Sequence, residues 1–165
     1  MTTSDFSITL LVDQTPEDVY RAINNVRGWW TEDMEGSSQK LNDEFTVRFF
    51  DDIQVTTQKL VEIIPDKKVV WLVTKSELNF LEDRHEWNDT RISFEITEKG
   101  NKTQLRFTHL GLVPKIECYK DCSAGWTRYI KGSLLELLTN GKGKPELKSN
   151  NQTQNIADVS SLNKT

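Results

Sequence analysis

From Pro114 to Gly141 the apolar positions fall at three- and four-residue steps: Ile116, Tyr119, Trp126, Ile130, Leu134 and Leu137 or Leu138, with Ser123 in the same register. That period places them on one stripe of an α-helix. Pro114 suits a first turn, where an N–H has no helical partner to lose, and Glu117 sets negative charge there. Asn140-Gly141, with Pro145 just beyond, makes a left-handed stop. The spacing predicts one long helix over 114–141. Gly125 and Gly132 inside it each weaken the helix by about 1 kcal/mol relative to Ala. Gly125 adjoins Trp126 and shares a face with Cys122 and Tyr129, which leaves room for close approach of a backbone or a ligand.

Ahead of that helix the period is two. Phe6, Ile8, Leu10 and Val12 alternate as a first strand. Thr15-Pro16-Glu17-Asp18 then carries the marks of a helix start, with Thr15 as N-cap and Asp18 placed to complete a capping box. Val19, Ala22, Ile23 and Val26 form its buried stripe, Gly28 its stop, and Trp29-Trp30 follow at once. Residues 31–43 are polar and predict a loop. Strands follow at 45–49 and 53–64 around an Asp51-Asp52 turn, then at 69–74, 91–97 and 103–111. Thr57 and Lys59 break the apolar parity of Val55, Val61 and Ile63, which predicts a bulge or an exposed stretch. Residues 75–89 fit either an irregular strand carrying Leu78, Phe80 and Trp87 or a loop over one end of the sheet. The order predicts an α+β domain: an antiparallel sheet of about six strands curling around one long C-terminal helix, with a short helical segment after the first strand. A sheet pinched against a helix in this way encloses a cavity. Residues 145–165, rich in Asn, Lys, Ser and Gln, predict a disordered polar tail beyond a domain of 1–144.

Charge and composition remove several classes of function. The net charge is −4, from 21 basic and 25 acidic residues, with no basic stripe, so a nucleic-acid partner is not expected. No run of 18 apolar residues exists and no charged-then-apolar leader opens the chain, which predicts a cytoplasmic protein without membrane insertion. Cys118 and Cys122, four apart on the predicted helix, would project nearly parallel; that is poor disulfide geometry and predicts two small packing residues. No neighbouring His or Cys completes a metal set around them, so no metal and no cofactor are expected.

Four stretches carry a family resemblance: VDQTPEDVYRAI before Trp29-Trp30; Trp87 and Thr90 ahead of ISFEI; TQLRFTHLGLVP; and CSAGWTRYIKGSLLELLTNGKG. Together they span roughly residues 6–144, and the last two are the more specific. The chain resembles the SRPBCC superfamily of START-like, helix-grip domains, and within it the family named after the C-terminal domain of the heat-shock protein 90 ATPase activator. The resemblance implies a helix-grip fold with an apolar cavity between sheet and C-terminal helix. Members of the wider superfamily bind lipids, sterols, polyketides or other apolar molecules there, and a few are cyclases or hydrolases.

Against that background the candidate chemistry is sparse. His109 shares a strand face with Leu105 and Phe107; it is the one candidate catalytic residue, and the competing reading is a turn-holding His on a backbone carbonyl. His85-Glu86 lacks the second His of a zinc helix, and Gly141-Lys142-Gly143 lacks the context of a phosphate loop. The aromatic positions Trp30, Phe49, Trp71, Phe94, Phe107, Tyr119 and Trp126 serve equally as core or as pocket walls, with His109, Cys122 and Tyr129 as polar groups that could orient a ligand. The leading expectation is therefore binding of a small hydrophobic or aromatic molecule without catalysis. Two rivals stand beside it. One is a cyclase or hydrolase using His109 with Tyr119 or Cys122. The other is a protein-interaction or co-chaperone-like module, with a protein partner or a homodimer, anchored by an exposed Trp29 or Trp30.

Overall fold

The computed structural model describes residues 5–147. Seven strands form one antiparallel sheet: β1 (Phe6–Val12), β2 (Met34–Gly36), β3 (Glu44–Phe49), β4 (Gln54–Ile64), β5 (Lys68–Leu78), β6 (Arg91–Lys99) and β7 (Lys102–Leu110). Their spatial order is β1-β7-β6-β5-β4-β3-β2. The sheet thus runs as a set of hairpins from β2 to β7, and β1 closes on β7 with Phe6 opposite His109. Sequence alternation anticipates about six strands. The seventh, β2, sits inside the polar stretch read as a loop, since three residues with one buried apolar side chain, Met34, make no visible period. Register irregularities fall at Thr57/Gln58 and Leu60/Glu62 on β4, where the apolar parity breaks. Residues 79–90 resolve as a loop beyond β5, with Leu81 and Trp87 buried and Phe80 exposed.

On the inner face lie α1 (Pro16–Asn24), α2 (Val26–Trp29) and the C-terminal helix. The capping box of α1 forms as expected: the Asp18 N–H donates to Thr15 Oγ1 at 3.1 Å, and the Thr15 N–H to Asp18 Oδ2 at 3.4 Å. Gly28 lies within α2 and does not end α1. The C-terminal helix is α3 (Tyr119–Thr127), a π-helical stretch (Arg128–Leu134) and α4 (Leu135–Asn140), which ends at Gly141 with φ +80°.

It starts five residues later than the 114–141 periodicity predicts. There the Glu86 carboxylate accepts the N–H groups of Glu117 (2.9 Å) and Cys118 (2.8 Å), which ties that segment to the 79–90 loop. Glu117 answers by accepting from the N–H groups of Glu82 and Asp83 at 3.1–3.2 Å. Cys118 is the cap residue of that helix, in helical backbone, with its carbonyl accepting the Cys122 N–H at 2.7 Å. It is joined to Cys122 in a disulfide with Cα atoms 5.4 Å apart, which corrects the expectation of two unlinked packing residues.

Past Gly141 the chain turns back as a strap. Lys144 donates its N–H to Ser133 Oγ, which itself donates to the Trp29 carbonyl. Glu146 forms a parallel bridge with Thr31: its N–H donates to the Trp30 carbonyl and its own carbonyl accepts from Glu32. Residues 145–147, read from composition as tail, are thus held against the domain, while 148–165 lie outside the described residues. Gly143 makes the close approach possible, since a Cβ there would stand 2.3 Å from the Gly28 carbonyl oxygen and 3.0 Å from that of Ser133. Gly143→Ala is expected to lower stability by about 1–3 kcal/mol in a denaturant titration, because backbone must give on both sides.

Candidate functional site: an aromatic cleft at the start of the C-terminal helix

The space between sheet and C-terminal helix is occupied by aromatic side chains. All five tryptophans belong to one continuous ring assembly. Trp29 stacks on Trp30 at 6.0 Å, Trp30 on Trp71 at 5.6 Å and on Trp126 at 5.0 Å, and Trp126 on Trp87 at 5.9 Å, all within 27° of parallel. Phe45 and Phe94 close edge-on against Trp71, and Phe107 packs on Trp126 at 4.6 Å. Trp71, Phe94 and Phe107 have no exposure. They fill the interior and do not line an opening. Trp29 and Trp30, adjacent yet both buried, point to the same stack, which overturns the expectation that one of them is an exposed anchor.

His109 is enclosed with them. The Trp126 indole N–H donates to His109 Nδ1 at 3.0 Å, so Nδ1 carries no proton and Nε2 does. Nε2–H then donates to Thr90 Oγ1 (2.9 Å), and the Thr90 hydroxyl donates to the Trp87 carbonyl (2.7 Å). One proton-ordered chain thus links α3, β7 and the 79–90 loop. Burial alone pushes His109 down to about pKa 3. Neither alternative reading of His109 describes this arrangement in full: its partners are an indole and a hydroxyl, with the carbonyl one bond further on. With both nitrogens engaged and no exposed surface, its geometry is that of a structural tie.

The opening lies at the N-terminal end of the C-terminal helix. A half-open cleft of about 260 Å³ is walled by Trp30, Trp87, Trp126 and Tyr129, with Cys122 and Gly125 in its helical side. Phe50, Ile53 and Phe80, all between 42% and 49% exposed, form an apolar rim, and Gln54, Asp121 and Arg128 supply the polar lining. Two turns deliver that rim. Phe50, Asp51 and Asp52, at the β3–β4 tip, all adopt left-handed backbone, with φ of 54°, 58° and 68°. For an aspartate this is tolerated; for a phenylalanine it is strain, of about 1–2 kcal/mol, that keeps an apolar ring in water at the cleft mouth. Phe80 and Trp87 arrive on the loop clamped by the reciprocal Glu86 and Glu117 hydrogen bonds.

Of the residues singled out by sequence, Trp30, Cys122, Trp126 and Tyr129 meet at this cleft. Phe49 stands behind it, 5.5 Å from Trp30 and 5.9 Å from Tyr129. Tyr119 faces away, edge-on to Phe6 at 6.3 Å. Sequence reading did not single out Phe50, Ile53, Gln54, Asp121 and Arg128. Their signal is weak: Phe50 and Ile53 bracket an Asp-Asp turn, where apolar residues have no core to serve.

At the far side the strap secures the wall. The Tyr129 hydroxyl and Arg128 Nη2 both donate to Glu146 Oε2 at 3.0 Å, and the guanidinium lies 4.9 Å from the Tyr129 ring centroid. Burial pushes the Tyr129 phenol up and its hydrogen bond to Arg128 raises the guanidinium, so a neutral phenol and a charged guanidinium share one carboxylate oxygen. Among the described residues no group of three or more His, Cys, Asp or Glu could hold a metal ion, and no helix is long and apolar enough to cross a membrane.

The family model for "Activator of Hsp90 ATPase homolog 1-like protein" matches residues 13–139. The chain is similar to the Aha1 dimer from Colwellia psychrerythraea, solved in solution, with a TM-score of 0.69, 26% identity, 85% of this chain and 99% of that chain covered. It is similar in fold to SSP2350 from Staphylococcus saprophyticus (TM-score 0.63, 14% identity, 87% and 98% covered). It is similar in fold also to CalU16 from Micromonospora echinospora (TM-score 0.58, 14% identity, 80% and 73% covered). No curated protein matches the chain.

His109 gives the domain a predictable pH response. The unfolded state takes up a proton near pH 6.5 and the folded state only near pH 3, so between these values the unfolded chain binds more protons and stability falls as pH falls. Wild-type stability is expected to exceed that of His109→Gln most at pH 7.5. The gap should narrow by up to about 1.4 kcal/mol per pH unit from pH 6 to pH 4, measured by urea titration at each pH.

Proposed function

Because the chain belongs to the family of activator of Hsp90 ATPase homolog 1-like proteins, with a START-like helix-grip fold, we propose that it is a binding protein for a small apolar or aromatic molecule, held in the cleft between α3 and the β3–β4 and β5–β6 turns. One observation carries this reading: Gly125, in the body of α3, opens onto an aromatic-walled cleft with exposed Phe50, Ile53 and Phe80 at its rim. Side chains that bury one another do not need a helical glycine, which weakens α3 by about 1 kcal/mol. A ligand lying against the helix does. Rings stacked at near-parallel angles on the wall side favour a flat, apolar occupant. The enclosed His109 offers no proton-transfer group to such an occupant, so the enzyme reading draws no support from it.

A second reading rests on the same rim. Exposed apolar residues on two neighbouring turns also suit contact with a protein surface, and the similar Colwellia protein is described as a dimer. Under this reading the rim closes against a second copy, and sedimentation velocity separates the two: a Phe80→Ser variant would lose self-association with no small molecule present.

Gly125→Leu tests the leading reading. A Cβ at Gly125 meets only a Tyr129 ring carbon at 3.9 Å, an ordinary contact, so a side chain there can start from the helix toward the cleft. The variant is expected to keep or raise its thermal midpoint and to abolish the fluorescence enhancement of N-phenylnaphthylamine seen with wild type. Unchanged enhancement in a folded variant would remove the cleft as the binding site.

A further inference from the structure

We propose that the molecule held in this cleft is an organic cation: an ammonium-bearing compound with an apolar or aromatic body, its charge placed beside Asp121. The inference rests on the cleft being a binding site and adds the charge of what it accepts. Three features support it. The first is the wall. Trp30, Trp87, Trp126 and Tyr129 present indole and phenol rings, and Phe50 and Phe80 add two more at the rim. The face of each ring is the negative end of its quadrupole, so wherever these rings turn a face to the occupant they favour a cation over an anion of the same shape.

The second is the state of the ionised lining groups. Arg128 would be the natural partner of an anion, but its guanidinium is already matched by Glu146 at 3.0 Å and lies over the Tyr129 ring. The carboxylate that matches it comes from the strap, which is fixed by the Thr31 bridge. Asp121 has no such partner: among the described residues it makes no hydrogen bond or ion pair. Lys120 adjoins it in sequence but does not line the cleft. The formal charge left over at the lining is therefore negative.

The third is the mouth. The turn that carries Phe50 and Ile53 also carries Asp51 and Asp52, and the loop that carries Phe80 continues into Glu82 and Asp83. Cations stand among them: Arg48 lies 3.4 Å from Asp52, and Arg84 follows Asp83 in the loop, where Glu82, Asp83 and Glu86 outnumber it. The apolar approach to the cleft thus runs between acidic turns, which concentrates cations and repels anions over about a Debye length. Because the cleft is half-open, an ammonium at Asp121 stays near water while its apolar body is covered, so little of its hydration is lost.

Competition against N-phenylnaphthylamine, with three aromatic probes differing in charge, tests the proposal. Phenyltrimethylammonium carries the charge, tert-butylbenzene is its neutral isostere, and benzenesulfonate is the anion. The cation is expected to displace the dye at lower concentration than the anion. The ratio of cation to isostere affinity should fall roughly two- to fivefold in Asp121→Asn, and in the same direction when salt is raised. A ratio unchanged by both manipulations, or a sulfonate as effective as the ammonium, overturns the charge assignment while leaving the cleft as an apolar site. If dye enhancement survives Gly125→Leu, the binding reading fails first and this inference with it.

Discussion

The hydrogen bond from the Trp126 indole to His109 Nδ1 fixes more of this molecule than any other single contact. A long helix laid on a curved sheet can slide and roll, since ridge-and-groove packing leaves several near-equivalent seats. A buried polar pair removes that freedom, because either partner left unpaired in an apolar interior costs about 1–3 kcal/mol. Here the pairing continues through Thr90 to the Trp87 carbonyl, so helix, sheet and loop hold a common register. The cost is a histidine that stays neutral far below its ordinary range, and the consequence is a fixed indole that is both part of the core and part of the cleft wall.

Rigid walls explain where the opening lies. The five stacked indoles and the phenylalanines of β3, β6 and β7 use up the room between sheet and helix that the helix-grip arrangement would otherwise leave. What is left is displaced toward the start of α3, where the covering comes from turns and not from strands. Those turns are constrained in their own ways: one by left-handed backbone at Phe50–Asp52, the other by reciprocal carboxylate-to-backbone bonds between Glu86 and Glu117. Apolar side chains held in water by such constraints are a standing cost to the free protein, and contact with an apolar partner relieves it.

Most of the fold was legible because period is a local property. Alternation located β1, β3, β6 and β7, the capping box at Thr15 located α1, and helical spacing put Cys122, Gly125, Trp126 and Tyr129 on one face. The misses came from contacts that no local window contains. Glu86 reaches from the 79–90 loop to the N–H groups of Glu117 and Cys118 ahead of α3, and Glu146 reaches from a polar segment to pair with Arg128 and Tyr129. Trp29 ends a short helix and Trp30 caps it in helical backbone, and both reach the core. Interior packing and cleft lining were inseparable by residue type: Trp71 and Trp87 read alike in the chain and differ only in what the loops leave uncovered.

The indole N–H resonances offer the most direct test of where a ligand sits. With five tryptophans there are five such signals, three from side chains that line the cleft (Trp30, Trp87, Trp126) and two from the interior (Trp29, Trp71). Titrating labelled protein with N-phenylnaphthylamine is expected to shift the signals of Trp30, Trp87 and Trp126 while those of Trp29 and Trp71 hold still. Shifts centred on Trp71 and Trp29 would place the ligand between sheet and helix and contradict this account, and five unmoved signals at saturating dye would contradict binding altogether.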